Sequence, residues 1–341
     1  MVIDCFPFFN ELDILKLHLS IMDPLVDRFV IEEARYTFSG QPKELCFEAN
    51  KEMFEPWLSK IQYVVVDECK EELDTHLRDK FQKNHLLEGL RNVHNNCGAK
   101  DNDSNESYGD ISDDDIIILG DVDEIPNPDV IAKIIESFDN DKVYHLAQRM
   151  FYCYLNMEEV SGKLLSITGE FPQNKRIPAS GQGIERAMWL GTKVFSKKSI
   201  PESGIIEIRE FPVEDDRSVR VPNGGWHFGY MGSHHETDVV KRVGTKVVAA
   251  AHQEYNSEDI LKEVKDRLFL GEDIFGREAS FLRVEIDDSF PKFLRDNSSE
   301  YDYLIMPKVS VLQKKFIPLK MKVFRFGRRC RRKIKRTLGI R

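Results

Sequence analysis

The chain has 341 residues, of which 41% are hydrophobic and 31% charged, a mixture that a packed water-soluble protein needs and a disordered or fibrous one lacks. Its net charge of −9 argues against nucleic acid as a partner, because polyanion binding sets Lys and Arg across the working face. No apolar run reaches the roughly 18 to 20 residues that span a bilayer and no basic segment precedes MVIDCFPFF, so neither a membrane span nor a secretory leader is expected.

Six scattered cysteines, Cys5, Cys46, Cys69, Cys97, Cys153 and Cys330, form no CxxC pair, so no structural zinc site and no disulfide framework is expected. The charge is uneven. From Lys308 to Arg341 there are 14 Lys and Arg and no Asp or Glu, so a basic tail follows an acidic body. The expected organisation is one catalytic domain over 1–307, interrupted by an acidic surface insertion over 94–115, and a basic tail over 308–341.

In chain order, Val2 to Phe6 reads as a strand, Glu11 to Met22 as a helix by its apolar spacing, and Arg28 to Ile31 as a second strand. Ile61 to Val66 predicts a strand and Leu73 to Leu90 a helix. The apolar run Ile116 to Leu119 suits a central parallel strand covered on both faces. After a strand beginning near Lys142, the Gly, Pro and aromatic residues of Met150 to Met231 predict loops over a rigid sheet. Helices are expected from about Thr237 to Ala251 and from Ser257 to Leu268. Alternating strands and helices predict an α/β fold.

Asp121, Val122, Asp123 and Glu124 follow the apolar run directly, which puts carboxylates at the edge of the sheet where open α/β folds bind ligands. Hard oxygen ligands there suit Mg²⁺ or Mn²⁺ and, through it, a diphosphate; the alternative is a solvated acidic turn. Spacing alone does not decide, since Asp101 with Asp103 and Asp113 with Asp115 repeat it inside the acidic insertion. A second group is Gly224 to Gly232, in which the glycines permit close approach to a ligand and Trp226, His227, Phe228 and Tyr230 offer aromatic faces or a metal ligand. The competing reading is a strand with one core tryptophan and a satisfied histidine. His252 and Glu254 follow the helix that starts near Glu236, and Glu236 reads either as a helix cap or as a pocket base. The sequence has no phosphate-binding GxxxxGK[ST], no GxGxxG after the first strand, no GxSxG and no HExxH.

Together IEEARYTFSGQPK at 31–43, KFQKNHLLEGL at 80–90, DIIILGDVDEIPNP at 115–128, WLGTK at 189–193, NGGWHFGYMG at 223–232, AHQEYN at 251–256 and GEDIFGRE at 271–278 resemble glycosyltransferase family 17, which includes bisecting β-1,4-N-acetylglucosaminyltransferases. The resemblance implies a GT-A-like fold with a Rossmann-like, mostly parallel central sheet flanked by helices. It also implies a UDP-sugar donor, UDP-N-acetylglucosamine in studied members, a glycan acceptor, Mn²⁺ or Mg²⁺, and inversion at the anomeric carbon.

Carried over by position, Asp121 and Asp123 take the D-x-D and Trp226 and His227 the GWH element; because two carboxylates leave coordination positions open, His227 or His252 is expected as a further metal ligand. Glu33, Lys43, Gln82, Lys83, Asp121 and Trp226 fall to the donor, although Lys83 stands where an Arg is expected. For the base that takes the acceptor proton the expectation is Glu236, with Asp216 and Glu254 as rivals. No amino-terminal anchor and stem of the Golgi type is expected, and a cytoplasmic enzyme held peripherally on anionic membrane by its tail fits these features. The competing class is a basic-tailed lipid- or nucleic-acid-binding adaptor without catalysis.

Overall fold

The computed structural model describes residues 1–93, 111–164 and 188–308, positions 310, 316–318, 321–323 and 326, and the backbone of the short strands Ile177–Pro178 and Glu185–Arg186. Strand β1 (Val2–Pro7) leads into helix α1 (Leu12–Met22), then β2 (Arg28–Ala34) and β3 (Ile61–Val66). Helices α2 (Thr75–Asn84) and α3 (Leu86–Arg91) replace the single helix expected over Leu73 to Leu90, the break falling at His85. Asp74 caps α2 by accepting the Leu77 N–H.

Strands β4 (Ile116–Leu119) and β5 (Glu124–Pro126) bracket the acidic turn, and α4 (Pro128–Glu136) follows, capped by Asn127 with proline at its start. Then come β6 (Val143–Tyr152), β7 (Met157–Glu159), β8 (Met188–Trp189), β9 (Lys193–Phe195) and β10 (Ser218–Gly229). Helices α5 (Val239–Ala249) and α6 (Glu258–Leu270) and strand β11 (Phe281–Arg283) complete the frame.

The fold is mixed α/β, and the expectation of a mostly parallel sheet needs correction. Parallel pairing joins β3, β2, β1 and β4. Beyond β4 the sheet turns antiparallel, through β9 against β4 and β6 and through β7 against β6 and β11, although β10 runs parallel to β6. The stretch read as loops from Met150 onward includes the end of β6 and the twelve residues of β10. β6 is buried along its whole length although it carries His145, Gln148 and Arg149. Polar side chains are tolerated there when paired: Arg149 Nε lies 2.8 Å from Glu158 and His145 Nε2 lies 2.9 Å from the Ser218 hydroxyl.

One apolar layer packs α1 against Phe6, Phe29, Ile118 and Phe228, and a second packs Ile3, Val30, Ile117 and Phe195 against α3. Within the acidic insertion, residues 94–110 lie outside the described part, while Ile111 is buried and Asp115 holds the amino terminus at 2.7 Å, so 111–115 belong to the packed body. Most of the basic tail is likewise outside the described residues; Ile317 and Met321 are buried, and Phe316, Val323 and Phe326 are exposed.

Candidate active site

β4 ends where it must. A side chain at Gly120 would meet the Thr192 hydroxyl at 2.7 Å, so glycine lets the chain turn under β9 and lift the next four residues to the sheet edge. The turn is clamped on three sides. His18 of α1 takes the Val122 carbonyl at 2.8 Å through Nδ1, with Asp4 bound to Nε2 at 2.9 Å. Phe228 N–H donates to the Asp123 carbonyl at 2.7 Å. Glu124 is buried and accepts Trp189 Nε1 at 2.6 Å, the Thr192 hydroxyl at 2.9 Å and Arg209 at 2.5 Å.

Above this turn lies a cavity of about 300 Å³, a volume suited to a small ligand. Asp121, Val122 and Asp123 form one wall, and Phe8, Phe9, Glu11, Glu32, Tyr36, Phe38, Lys43, Gln82 and Lys83 others. β10 contributes His227 and Gly229, and α5 with its exit contributes Lys246, Ala249 and His252.

The two aspartates have opposite electrostatics. Asp121 Oδ1 lies 2.9 Å from Arg209 Nη1 and 3.1 Å from Lys83 Nζ. Against the effect of burial, these two cations hold its carboxyl well below the usual carboxylate range. Lys83 also pairs with Asp79 at 3.1 Å, and despite burial the two carboxylates hold its ammonium above its ordinary value. Asp123 is the under-compensated one. Burial raises its carboxyl to about 6, against the pull of Lys246 at 4.0 Å and His227 at 3.7 Å. Lys246 is held above its usual range by Glu11 and Asp123 although burial opposes this, and Glu11 is lowered in return by Lys246 despite its own burial.

A divalent cation fits part of this arrangement. Asp123 Oδ1 and His227 Nε2, 3.7 Å apart and both lining the cavity, need only a small side-chain rotation to reach the roughly 3.0 to 3.4 Å spacing of two ligands about 2.1 Å from one ion. His227 Nδ1 is buried and makes no hydrogen bond, so the outer partner that usually orients a metal-bound imidazole is missing on this side of the ring. Asp121, already matched by Lys83 and Arg209, is better placed to hold those cations than a metal.

Of the expected donor residues, Lys43, Gln82, Lys83 and Asp121 line the cavity, and so does His252 of the expected metal ligands. Glu33 and Trp226 do not. Glu33 accepts the Cys46 and Phe47 N–H groups, the Tyr63 hydroxyl and Lys43, fixing the chain that carries Lys43. Trp226 is a core residue whose Nε1 donates to the Ser289 carbonyl at 3.1 Å. Gly225, expected to admit a ligand, admits backbone instead: with φ at +139° and the Ile125 carbonyl 2.1 Å from an added side chain, only glycine lets β10 lie on β5.

Asp216 is exposed at the start of β10 and Glu236 pairs with Lys241 outside the cavity lining. Glu254 reaches the site indirectly, 3.1 Å from Nδ1 of His252. Glu11, Glu32, Lys246 and Arg209 complete the site unannounced by any motif. Glu32 is buried with Oε1 unpartnered, and burial pushes its carboxyl up to about 8.

Residues 1–161 match the family model of glycosyltransferase family 17, the family that the motifs resemble. The match spans β1 to β7 and includes the acidic turn, and it supports a glycosyltransferase, for which the family implies a nucleotide-sugar donor and a glycan acceptor. A search of curated proteins finds no match.

Proposed function

We propose that the protein is an inverting, cation-dependent glycosyltransferase of GT-A-like design that moves N-acetylglucosamine from UDP-N-acetylglucosamine to a hydroxyl of a glycan. The observation that carries this reading is the junction in one cavity of the Asp121–Asp123 turn with Lys43 and Lys83, inside the span matched by the family. Asp123 and His227 would hold Mn²⁺ or Mg²⁺, which would supply counter-charge to the departing diphosphate. Lys83, fixed by Asp121 and Asp79, presents a permanent cation to the same phosphates, and Lys43, fixed by Glu33, presents another.

Glu32, uncharged at neutral pH, donates a hydrogen bond to the donor from the depth of the cavity, where a charged carboxylate is disfavoured. His252, at the cavity wall and oriented by Glu254, takes the acceptor proton. The acceptor then attacks the anomeric carbon from the side opposite the diphosphate, which gives inversion.

The test is a screen of sugar nucleotides with Mn²⁺ and a mixed glycan acceptor set, read by mass spectrometry for released nucleotide and for sugar added to the acceptor. UDP-N-acetylglucosamine is expected to be consumed; turnover of no sugar nucleotide overturns the reading. His252→Ala and Glu254→Gln are expected to lower kcat by about 100-fold or more with the donor KM held, the size of a lost general base. Unchanged kcat in both removes this pair from proton transfer.

A further inference from the structure

Asp13 sits in the first turn of α1 and is buried, and its two oxygens face a segment remote in sequence. His234 Nδ1 lies 2.7 Å from Oδ1. The His235 N–H donates to Oδ2 at 3.2 Å, and the Tyr303 hydroxyl donates to the same oxygen. The rings of His234 and His235 lie with centroids 3.7 Å apart, and His235 holds φ at +52°, a conformation uncommon for a residue with a side chain. One ligand atom from each of Asp13, His234 and His235 lies within 4.8 Å of the others. Small side-chain rotations close such a triangle to the roughly 3.3 Å edge of a tetrahedral site with ligands about 2.0 to 2.1 Å from the ion.

We propose that Asp13, His234 and His235 bind a divalent transition-metal ion of the zinc type, at a site separate from the catalytic cavity. Two imidazoles and one carboxylate favour a borderline ion over Mg²⁺ or Ca²⁺, which take oxygen ligands. Tyr303 completes the arrangement by fixing the carboxylate through Oδ2, as the outer partners of metal ligands do. None of the three ligands lines the cavity. The ion joins three separate pieces: α1, the segment between β10 and α5, and the turn Ser298–Leu304 that carries Tyr303. Because that segment follows His227 and precedes Lys246, the ion braces two residues of the active site from behind without touching substrate.

The experiment is calorimetric titration of Zn²⁺ into chelator-stripped full-length protein, with thermal unfolding followed in parallel. One tight equivalent is expected in the wild type and in Asp123→Asn, and its affinity should fall at least 100-fold in the His234→Ala/His235→Ala double variant. Tyr303→Phe should weaken it by 10-fold or more. Zn²⁺ should raise the Tm of the wild type and leave that of the double variant unmoved. His235→Asn, whose side chain tolerates the left-handed backbone, keeps the test open if the double variant does not fold. The same stoichiometry and affinity in these histidine variants as in the wild type overturns the proposal, as does loss of the tight equivalent in Asp123→Asn.

Discussion

Lys246 Nζ stands 4.0 Å from Asp123 Oδ2 and also bonds Glu11, so a single ammonium on α5 serves two buried carboxylates. Removing it strands both. Lys246→Met is expected to destabilise the protein by about 3 to 5 kcal/mol, the size seen when one partner of a buried ion pair is deleted. The same change removes a fixed cation that competes for Asp123, so Mn²⁺ affinity should rise while donor turnover falls. Denaturant melts and a Mn²⁺ titration check both, and weaker Mn²⁺ binding would show that Lys246 supports the ion and does not compete with it.

Asp123→Asn should separate activity from stability. The carboxyl is buried and raised to about 6, so its ionised form at neutral pH carries an unrecovered desolvation cost. Asparagine of equal shape removes that cost, and stability at pH 8 should rise by about 1 to 2 kcal/mol, the trade commonly seen at functional sites. Turnover should drop at least 100-fold because the diphosphate loses its counter-charge. A less stable protein with turnover intact contradicts both halves.

How far these residues were legible follows from what local pattern encodes. Ile116 to Leu119 and the aspartates after it lie on one continuous strand and turn, so residue order alone placed them. The start of β6 reads as a strand but its end, from Met150, reads as loop, because His145, Gln148 and Arg149 break the apolar pattern and their burial depends on partners such as Ser218 and Glu158 that strand periodicity does not reveal. The neighbouring Glu32 and Glu33 divide in the same way. Adjacent strand residues face opposite sides, so Glu32 enters the cavity and Glu33 turns to the Cys46 and Phe47 amides. Glu11 and Lys246 are 235 positions apart, and nothing short of the tertiary fold brings them together.

The Glu32 carboxyl gives a pH prediction. Its value rises from an unfolded 4.5 to about 8 in the fold, so the folded state holds the proton more tightly. The stability linked to it is present in full below pH 4.5 and is lost as pH rises through 8. Glu32→Gln lacks this loss. The variant should therefore match the wild type near pH 4 and become progressively more stable relative to it, by an amount on the order of 5 kcal/mol above pH 8. Donor affinity should fall in the wild type over the same alkaline range and hold in Glu32→Gln. A stability difference independent of pH means that the fold does not shift the Glu32 carboxyl from its unfolded value.

The last prediction concerns the basic tail. Ile317 and Met321 are buried while Phe316, Val323 and Phe326 remain exposed, so the described start of the tail rests on the body and shows other apolar side chains to solvent. Arg325, Arg328, Arg329, Arg331, Arg332, Lys333, Lys335 and Arg336 crowd the sequence around and beyond Phe326. Apolar side chains set among cations suit the headgroup boundary of an anionic membrane, with roughly 1 kcal/mol gained per basic residue near the surface. Deleting residues 327–341, which leaves Ile317 and Met321 in place, should abolish flotation with phosphatidylserine liposomes. Transfer to a soluble acceptor should stay within about twofold, since among the described residues none after His252 lines the cavity. Added salt at 0.5 M should release the full-length protein from the same liposomes, because screening weakens exposed charge pairs. Flotation equal in the two proteins removes the tail as the anchor, and a folded truncation without soluble-acceptor activity makes the tail part of the catalytic unit.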